Sequence, residues 1–248
     1  MEIREELRIA VLIDADNVPH SNIKGIIEEV ARYGTPVIKR IYGDWTRPNV
    51  AGWKPLLLEN AITPIQQYGY TTGKNSTDSA MIIDAMDILY SPQSIDGFAI
   101  VSSDSDFTRL AIRLREAGKK VFGIGEKKTP SPFIAACDKF IYIEVINNIT
   151  ATEKVNNKPK ISEKTKDQLR KMIANAIDDV ADEEGWAFLG EVGNLLLKKY
   201  PDFDTRNYGF SKTTPLIRHL KAFEIDERPI PKSNIKHVFI KNKSGAIL

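Results

Sequence analysis

The chain has 248 residues, of which 42% are hydrophobic and 27% are charged, and its formal net charge is +2. Such a composition is ordinary for a folded protein, and the length suits one large domain or two modest ones. The only cysteine, Cys137, excludes an intrachain disulfide and a multi-cysteine zinc site. A charged N-terminus argues against a signal peptide, and no apolar run approaches transmembrane length. We therefore expect a cytoplasmic protein without a membrane partner.

The first 146 residues alternate strand-like and helix-like segments. Ile9 to Ile13 form a continuous apolar run, which is typical of a strand buried on both faces. The predicted strands are 9–13, 37–42, 63–68, 97–101, 120–124 and 140–146, and the predicted helices are 23–33, 53–60, 78–89, 108–117 and 131–139. Repeated β-α units of this length predict an α/β domain, 1–146, with a parallel sheet and helices on both faces.

The composition changes in residues 147–163, where Asn, Thr, Lys and Pro dominate, and these residues are the predicted linker. A second domain, 164–248, follows. Thr165 with Gln168 fits a capping box at the start of its first helix. Three predicted helices and then two strands are the plan of a winged helix. The predicted helices are 165–180, 189–200 and 213–220, and the predicted strands are 223–225 and 237–240.

Net charge also separates the two parts of the chain. Residues 1–150 carry 17 Lys and Arg against 19 Asp and Glu, whereas residues 151–248 carry 18 against 14. The C-terminal part is therefore the more plausible face for a polyanion.

Acidic residues lie where strands or helices of the first domain should meet. Asp14 follows the first strand, Asp104 and Asp106 follow the strand at 97–101, and Asp78 opens a helix. Functional groups of open α/β sheets gather at the carboxyl ends of the strands, so these side chains should lie together. Massed carboxylates repel one another, and a hard divalent cation relieves that repulsion. The pattern predicts a Mg²⁺ or Mn²⁺ site for chemistry on phosphate, with one carboxylate orienting or deprotonating the attacking water.

Other residues near these acids have more than one interpretation. Asn17 would hold Asp14, or a water on the cation, through its amide, and Lys74 could meet a phosphate. Asp84 could support the site from the Asp78 helix. The structural alternatives are a turn at residues 16–17, a helix cap by Asp106, and a favourable first-turn charge at Asp78.

Three motifs, at 11–17, 74–78 and 101–107, resemble those of the LabA-like NYN family of PIN-like nucleases. The resemblance covers about residues 7–146 and implies a PIN-like, Rossmann-like α/β/α fold with Mg²⁺- or Mn²⁺-dependent RNA cleavage. Ser103 stands where many members have Gly, and it joins Lys74 as a candidate RNA contact. Carried over residue by residue, the resemblance implies a catalytic set of Asp14, Asn17, Asp78, Asp104 and Asp106, with the four aspartates as metal ligands.

Three further segments, 188–193, 200–204 and 206–210, resemble the LOTUS (OST-HTH) domain, which is similar to winged helices and is associated with RNA or protein partners. Basic and aromatic residues here could hold phosphates and stack a base. The alternative is that Tyr208 and Phe210 are core residues and that the cations are a solvated face. The candidate RNA contacts are Lys198, Lys199, Arg206, Tyr208, Lys212 and Arg218. Lys221 belongs to the same basic set, and Lys236, Lys241 and Lys243 near the two predicted strands could add phosphate contacts.

These observations predict a two-domain, metal-dependent endoribonuclease whose second domain binds RNA or a protein partner, with homo-oligomerisation left open. One alternative is a haloacid-dehalogenase-type phosphatase, because Asp14 and Asp16 have the spacing of its nucleophile and its acid/base. The other is a non-catalytic RNA-binding scaffold. A phosphoenzyme adduct would identify the phosphatase, and RNA affinity without cleavage would identify the scaffold.

Overall fold

The structure, a computed structural model, describes residues 6–68, 76–92, 94–146, 161–229 and 236–243. Its contacts divide the chain into two compact units, residues 1–154 and 155–248. Most of the predicted linker lies outside the described residues, so the predicted domain boundaries stay predictions. Within the described residues, no helix is both long enough and apolar enough to cross a membrane.

The first unit is built on one six-stranded parallel sheet with the order β3-β2-β1-β4-β5-β6, so the predicted α/β fold class is confirmed. The strands are β1 (Arg8–Asp14), β2 (Thr35–Gly43), β3 (Thr63–Gln66), β4 (Gly97–Val101), β5 (Lys120–Gly125) and β6 (Lys139–Tyr142). The helices are α1 (Ile23–Val30), α2 (Lys54–Glu59), α3 (Ser76–Tyr90), α4 (Thr108–Glu116) and α5 (Ser131–Ala136).

Alternate residues of β1 enter two different cores, because successive side chains of a strand point to opposite faces of the sheet. Ile9, Val11 and Ile13 pack with α1 and α2. Ala10 and Leu12 pack on the other face with α3, α4 and α5. Asp14 is two residues beyond Leu12, so it shares the face covered by α3 and α4.

The strand order reverses direction at β1. The chain moves from β1 to β2 and β3 on one side, then returns to place β4 against the other side of β1. β1 and β4 pair in parallel, with Ile13 opposite Val101. In open α/β sheets, such a reversal leaves a crevice outside the carboxyl ends of the two central strands. The residues after Ile13 and Val101 are therefore the ones that line this crevice.

The second unit contains three helices and a three-stranded antiparallel sheet around its own core. The helices are α6 (Glu163–Asp178), α7 (Leu189–Lys199) and α8 (Thr213–Leu220), and the strands are β7 (Ala187–Phe188), β8 (Phe223–Pro229) and β9 (Lys236–Asn242). The predicted helices and the two predicted strands are all present. The two-residue β7, which pairs with β9, was not predicted because a strand of that length has no readable alternation.

Two local predictions were wrong. The first helix of the second unit begins at Glu163, and its cap is Ser162, whose hydroxyl accepts from the backbone N–H of Thr165 at 3.2 Å. Thr165 is therefore inside the helix rather than at its cap. The last strand of the first unit ends at Tyr142, and residues 143–146 are helical. An apolar run has no periodicity of its own, so the sequence could not separate these two states.

Two glycine-to-alanine substitutions should have opposite effects on stability. A Cβ at Gly123 in β5 would lie 2.5 Å from Phe140 and 2.6 Å from the Cys137 sulfur, both buried. Gly123→Ala should therefore destabilise the protein by about 1–3 kcal/mol through overpacking. Gly193 in α7 has no atom within 4 Å of an added Cβ, and Gly193→Ala should stabilise it by about 0.5–1 kcal/mol. Urea unfolding of both variants measures the change in the free energy of unfolding. A change in the same direction for both variants would contradict the prediction.

Candidate active site

Asp14, at the carboxyl end of β1, is 1% exposed and is held by three donors. Its Oδ1 accepts from the backbone N–H of Asp16 at 3.1 Å. Its Oδ2 accepts from the amide of Asn17 at 2.6 Å and from the hydroxyl of Ser102 at 2.9 Å. Burial raises the pKa of Asp14, and the bonds from Asn17 and Ser102 act in the opposite direction. The carboxylate is thus fixed in orientation, and Asn17 fixes it through its amide.

Ser102 links the end of β1 to the loop after β4. It is fully buried, and its hydroxyl accepts from the backbone N–H of Asp104 at 3.1 Å while it donates to Asp14. One hydroxyl therefore fixes both a carboxylate and the backbone that carries a second acidic residue. Ser102 was not among the predicted site residues, although its position directly after a buried strand was a usable signal.

Asp104 directly precedes a short 3-10 helix, Ser105–Phe107, which leads into α4. Its Oδ1 accepts from the backbone N–H of Asp106 at 2.9 Å, so Asp104 is the N-cap of that turn. The structural alternative made Asp106 the N-cap of α4, but the residue at that position is Phe107. Asp104 is half-buried, and Asp106 is exposed.

Asp78 completes an acidic cluster from a distant part of the chain. It lies in the first turn of α3 and is 9% exposed. One carboxylate oxygen each from Asp78, Asp104 and Asp106 lie within 4.8 Å of one another. Three carboxylates at this separation form an oxygen-rich donor set of the kind that hard divalent cations bind.

The acidic surroundings change the protonation of Asp78. Burial, followed by the charges of Asp14, Asp104 and Asp106, raises the pKa of Asp78 from 3.8 to about 6. Repulsion from Asp14 thus couples the buried carboxylate on β1 to the cluster. A pKa this high records a site in which one more negative charge is unfavourable, and a bound cation would remove that penalty. The residues present fit a Mg²⁺ or Mn²⁺ ion on these grounds.

A second set of contacts anchors the helix that carries Asp78. Asp84 lies six residues further along α3, and its carboxylate accepts from the guanidinium of Arg40 and from the hydroxyl of Tyr42. Tyr42 is fully buried and is the β2 residue paired with Asp14. Asp84 therefore fastens α3 to β2 beside the site, which agrees with the supporting role that the sequence suggested. Asp87 on the same helix is exposed.

Two residues of the first unit, Ser103 and Lys74, were predicted to contact RNA. Ser103 is 8% exposed, and its hydroxyl accepts from the backbone N–H of Glu126 at 2.8 Å. The side chain predicted to contact RNA is thus already engaged within the protein. Lys74 lies outside the described residues.

The six candidate RNA contacts of the second unit differ in their surroundings. Tyr208 packs on the core, with its ring 6.4 Å from that of Phe203, and borders a cavity of 230 Å³. Arg218 borders a different groove. Arg206 makes a bidentate ion pair with Asp204 at 3.0 and 2.7 Å. Lys199 pairs with Asp179 and Arg218 with Glu227, whereas Lys198 and Lys212 are exposed.

The position of Asp14 argues against the phosphatase alternative. A phosphoryl-accepting carboxylate must present an oxygen to its substrate. Both oxygens of Asp14 instead accept hydrogen bonds from within the protein, and the residue is buried.

Comparison with known families identifies both parts of the chain. Residues 8–144, more than half of the chain, match the NYN domain. The chain belongs to the NYN-domain family. Residues 160–235 match the OST-HTH/LOTUS domain, so an NYN domain is followed by a LOTUS domain, as predicted. In its domain composition the chain thus has an NYN domain, with a PIN-like fold, ahead of an OST-HTH/LOTUS domain.

Individual relatives add the following similarities. An uncharacterised protein of Methanocaldococcus jannaschii is 32% identical over 124 residues, so the chain spans about half (48%) of the length of this curated relative. A crystal structure of a protein of unknown function from Vibrio parahaemolyticus is 21% identical, covers 58% of this chain and 96% of its own, and has a TM-score of 0.48. A solution structure of an uncharacterized protein from Nitrosomonas europaea is 33% identical and has a TM-score of 0.30. The match covers 37% of this chain and 83% of that protein's chain.

The raised pKa of Asp78, caused by burial and then by the neighbouring carboxylates, predicts a pH-dependent stability difference. Folding raises the pKa of this carboxyl above its unfolded value of 3.8, so its contribution to stability is present below that value and is lost as the pH rises through about 6. In EDTA, Asp78→Asn should therefore melt above the wild type at pH 7, and the difference should shrink toward pH 4. Added Mg²⁺ at pH 7 should raise the melting temperature of the wild type more than that of the variant.

The matched control is Asp87→Asn, which removes an exposed carboxylate from the same helix. Its melting temperature relative to the wild type should not respond to Mg²⁺. An Asp78→Asn effect that is the same at pH 4 and pH 7 would contradict the raised pKa of Asp78.

Proposed function

We propose that the chain is a Mg²⁺- or Mn²⁺-dependent endoribonuclease whose NYN domain hydrolyses RNA phosphodiesters. The observation that carries the proposal is the approach of Asp78, Asp104 and Asp106 within 4.8 Å at the carboxyl edge of the sheet. These three side chains would hold the cation. Asp14, at the end of β1, would add its negative charge to the site. A divalent ion would neutralise charge on the phosphoryl oxygens and lower the pKa of water.

The chain's own residues place the acidic groups before the substrate arrives. Asn17 and Ser102 fix the carboxylate of Asp14, and Ser102 also fixes the backbone of Asp104. In the hydrolysis, a water oxygen adds to phosphorus and a carboxylate of the set accepts the water proton. The bond to the leaving ribose oxygen breaks, and that oxygen takes up a proton from solvent water to leave as a hydroxyl. Preorganised groups lower the barrier because they need not reorient during the reaction. The LOTUS domain would retain the RNA or recruit a partner.

The decisive experiment is cleavage of a mixture of labelled RNAs by the full chain in Mn²⁺, Mg²⁺ or EDTA. Asp104→Asn and Asp14→Asn should each reduce Mn²⁺-dependent cleavage by about 100-fold or more, the usual order for the loss of one group that stabilises the transition state. Asp87→Asn is the matched control, since it removes an exposed carboxylate of α3, and it should cleave like the wild type.

Residual cleavage that is equal in all four proteins would indicate a contaminating nuclease. Normal RNA affinity without any metal-dependent cleavage would replace the nuclease with the non-catalytic scaffold.

Two adjacent serines separate site geometry from general stability. Ser102→Ala removes the hydroxyl that holds Asp14 and Asp104, so it should lower kcat by roughly tenfold or more. Ser103→Ala removes a bond to the backbone of Glu126 and should cost about 1 kcal/mol of stability with little change in kcat. Single-turnover cleavage and melting curves on both variants test the distinction. Equal effects on kcat would contradict the role given to Ser102.

A further inference from the structure

The LOTUS domain has a groove of 600 Å³ that was not predicted from the sequence. The groove is wide and open to solvent, so an extended ligand could lie along it. Buried Phe223 contributes to its wall, next to the end of α8. The groove is lined by Trp186, Arg218, Lys221, Phe223, Glu224, Ile225 and Lys243.

The charge of the lining favours an anion. The lining residues include three cations, Arg218, Lys221 and Lys243, and one carboxylate, that of Glu224. Lys243 donates to the backbone carbonyl of Lys221 at 3.1 Å, which places the Lys243 ammonium beside the end of α8. Arg218 pairs with Glu227, but both side chains are partly exposed, and such pairs are weak enough for a phosphate to replace the carboxylate.

Lys221 occupies a backbone conformation that suits glycine better. It follows α8 with a φ of 58°, in the left-handed region that non-glycine residues adopt at a cost. A helix end of this kind usually carries Gly, which removes the cost. The chain instead places a cation at this point of the groove. Strained positions of this sort occur preferentially at functional sites.

Trp186 supplies an aromatic side chain at the same groove, on a rigid backbone. The backbone N–H of Trp186 donates to the Asp182 carboxylate at 2.8 Å, and its backbone carbonyl accepts from the backbone N–H of Asp182 at 2.9 Å. Two more cations lie near the indole, with Arg228 Cζ 5.8 Å and Lys241 Nζ 5.9 Å from the ring centroid. Trp186 was absent from the predicted RNA-binding set.

We propose that this groove binds a single-stranded segment of RNA. A base would stack on Trp186, and neighbouring phosphates would contact Lys221, Lys243 and Arg218. An aromatic platform beside a cationic track is the general arrangement for binding single strands, because every base has a stacking face and every linkage a negative charge. The inference rests on the proposed function, since it assumes that RNA is the substrate, and it locates the surface that retains it.

The test measures binding of a labelled, unstructured RNA of about 20 nucleotides to the full chain in EDTA, where metal-dependent cleavage cannot occur. Trp186→Ala should weaken binding by about tenfold, and Trp186→Phe should retain most of the affinity because it keeps an aromatic face. The double variant Lys221→Gln/Lys243→Gln should reduce the slope of log affinity against log salt by about 1.4.

Two controls separate the groove from general electrostatics and from misfolding. The double variant Lys164→Gln/Lys171→Gln removes two exposed lysines of α6 and should change affinity little. Lys221→Gly removes the cation and also relieves the left-handed strain. It should melt at or above the wild-type temperature while its affinity for RNA falls several-fold.

Three outcomes would overturn the proposal. The first is equal weakening by the α6 and groove double variants, which would indicate charge without a site. The second is a larger loss from Lys198→Gln/Lys212→Gln than from the groove variants. The third is unchanged affinity in all groove variants, after which an acidic protein partner becomes the occupant to test. Because binding is measured without cleavage, failure here is distinct from failure of the nuclease, which is read from Asp104→Asn in Mn²⁺.

Discussion

Repulsion among carboxylates at one edge of the sheet is the constraint on which the first domain depends. Burial, and then the charges of Asp14, Asp104 and Asp106, raise the pKa of Asp78 to about 6. Folding brings these charges together against their repulsion, and the rest of the domain must hold them there. Two buried cores clamp β1 from both faces, the Ser102 hydroxyl joins β1 to the loop after β4, and Asp84 fastens α3 to β2. Structure around the acids thus opposes their separation.

The LOTUS domain carries charge of the opposite sign at its candidate groove. Lys221 and Lys243 both line it, and the backbone of Trp186 is hydrogen-bonded to Asp182. A basic binding surface in the same chain as an acidic site resolves a conflict, because carboxylates repel the phosphates that the proposed reaction must approach. In the proposed function, affinity for RNA and chemistry on RNA are then carried by different residues on different folded units.

Most of the fold and most of the acidic cluster could be predicted from the sequence, for physical reasons. Buried parallel strands have unbroken apolar runs, and the carboxyl ends of such strands face one crevice, so Asp14 and Asp104 could be paired from the amino-acid pattern alone. The pattern could not show that Asp14 is enclosed by donors, because that depends on the hydroxyl of Ser102, 88 residues away. Nor could it separate Arg206, which is paired with Asp204, from Lys221, because ion pairing and backbone strain are properties of the folded chain.

The dispersion of the acidic residues along the chain has a consequence for synthesis. The cluster draws on α3 and on the loop after β4, and Asp14 adds the end of β1, so the ribosome must pass β4 before the last carboxylate, Asp106, exists. Until β4 has paired with β1, Asp104 and Asp106 have no defined position relative to Asp14. A nascent chain or a fragment that stops before this point therefore lacks the assembled centre. The proposed cleavage of RNA then begins only after the central strands of the sheet have been made and have paired.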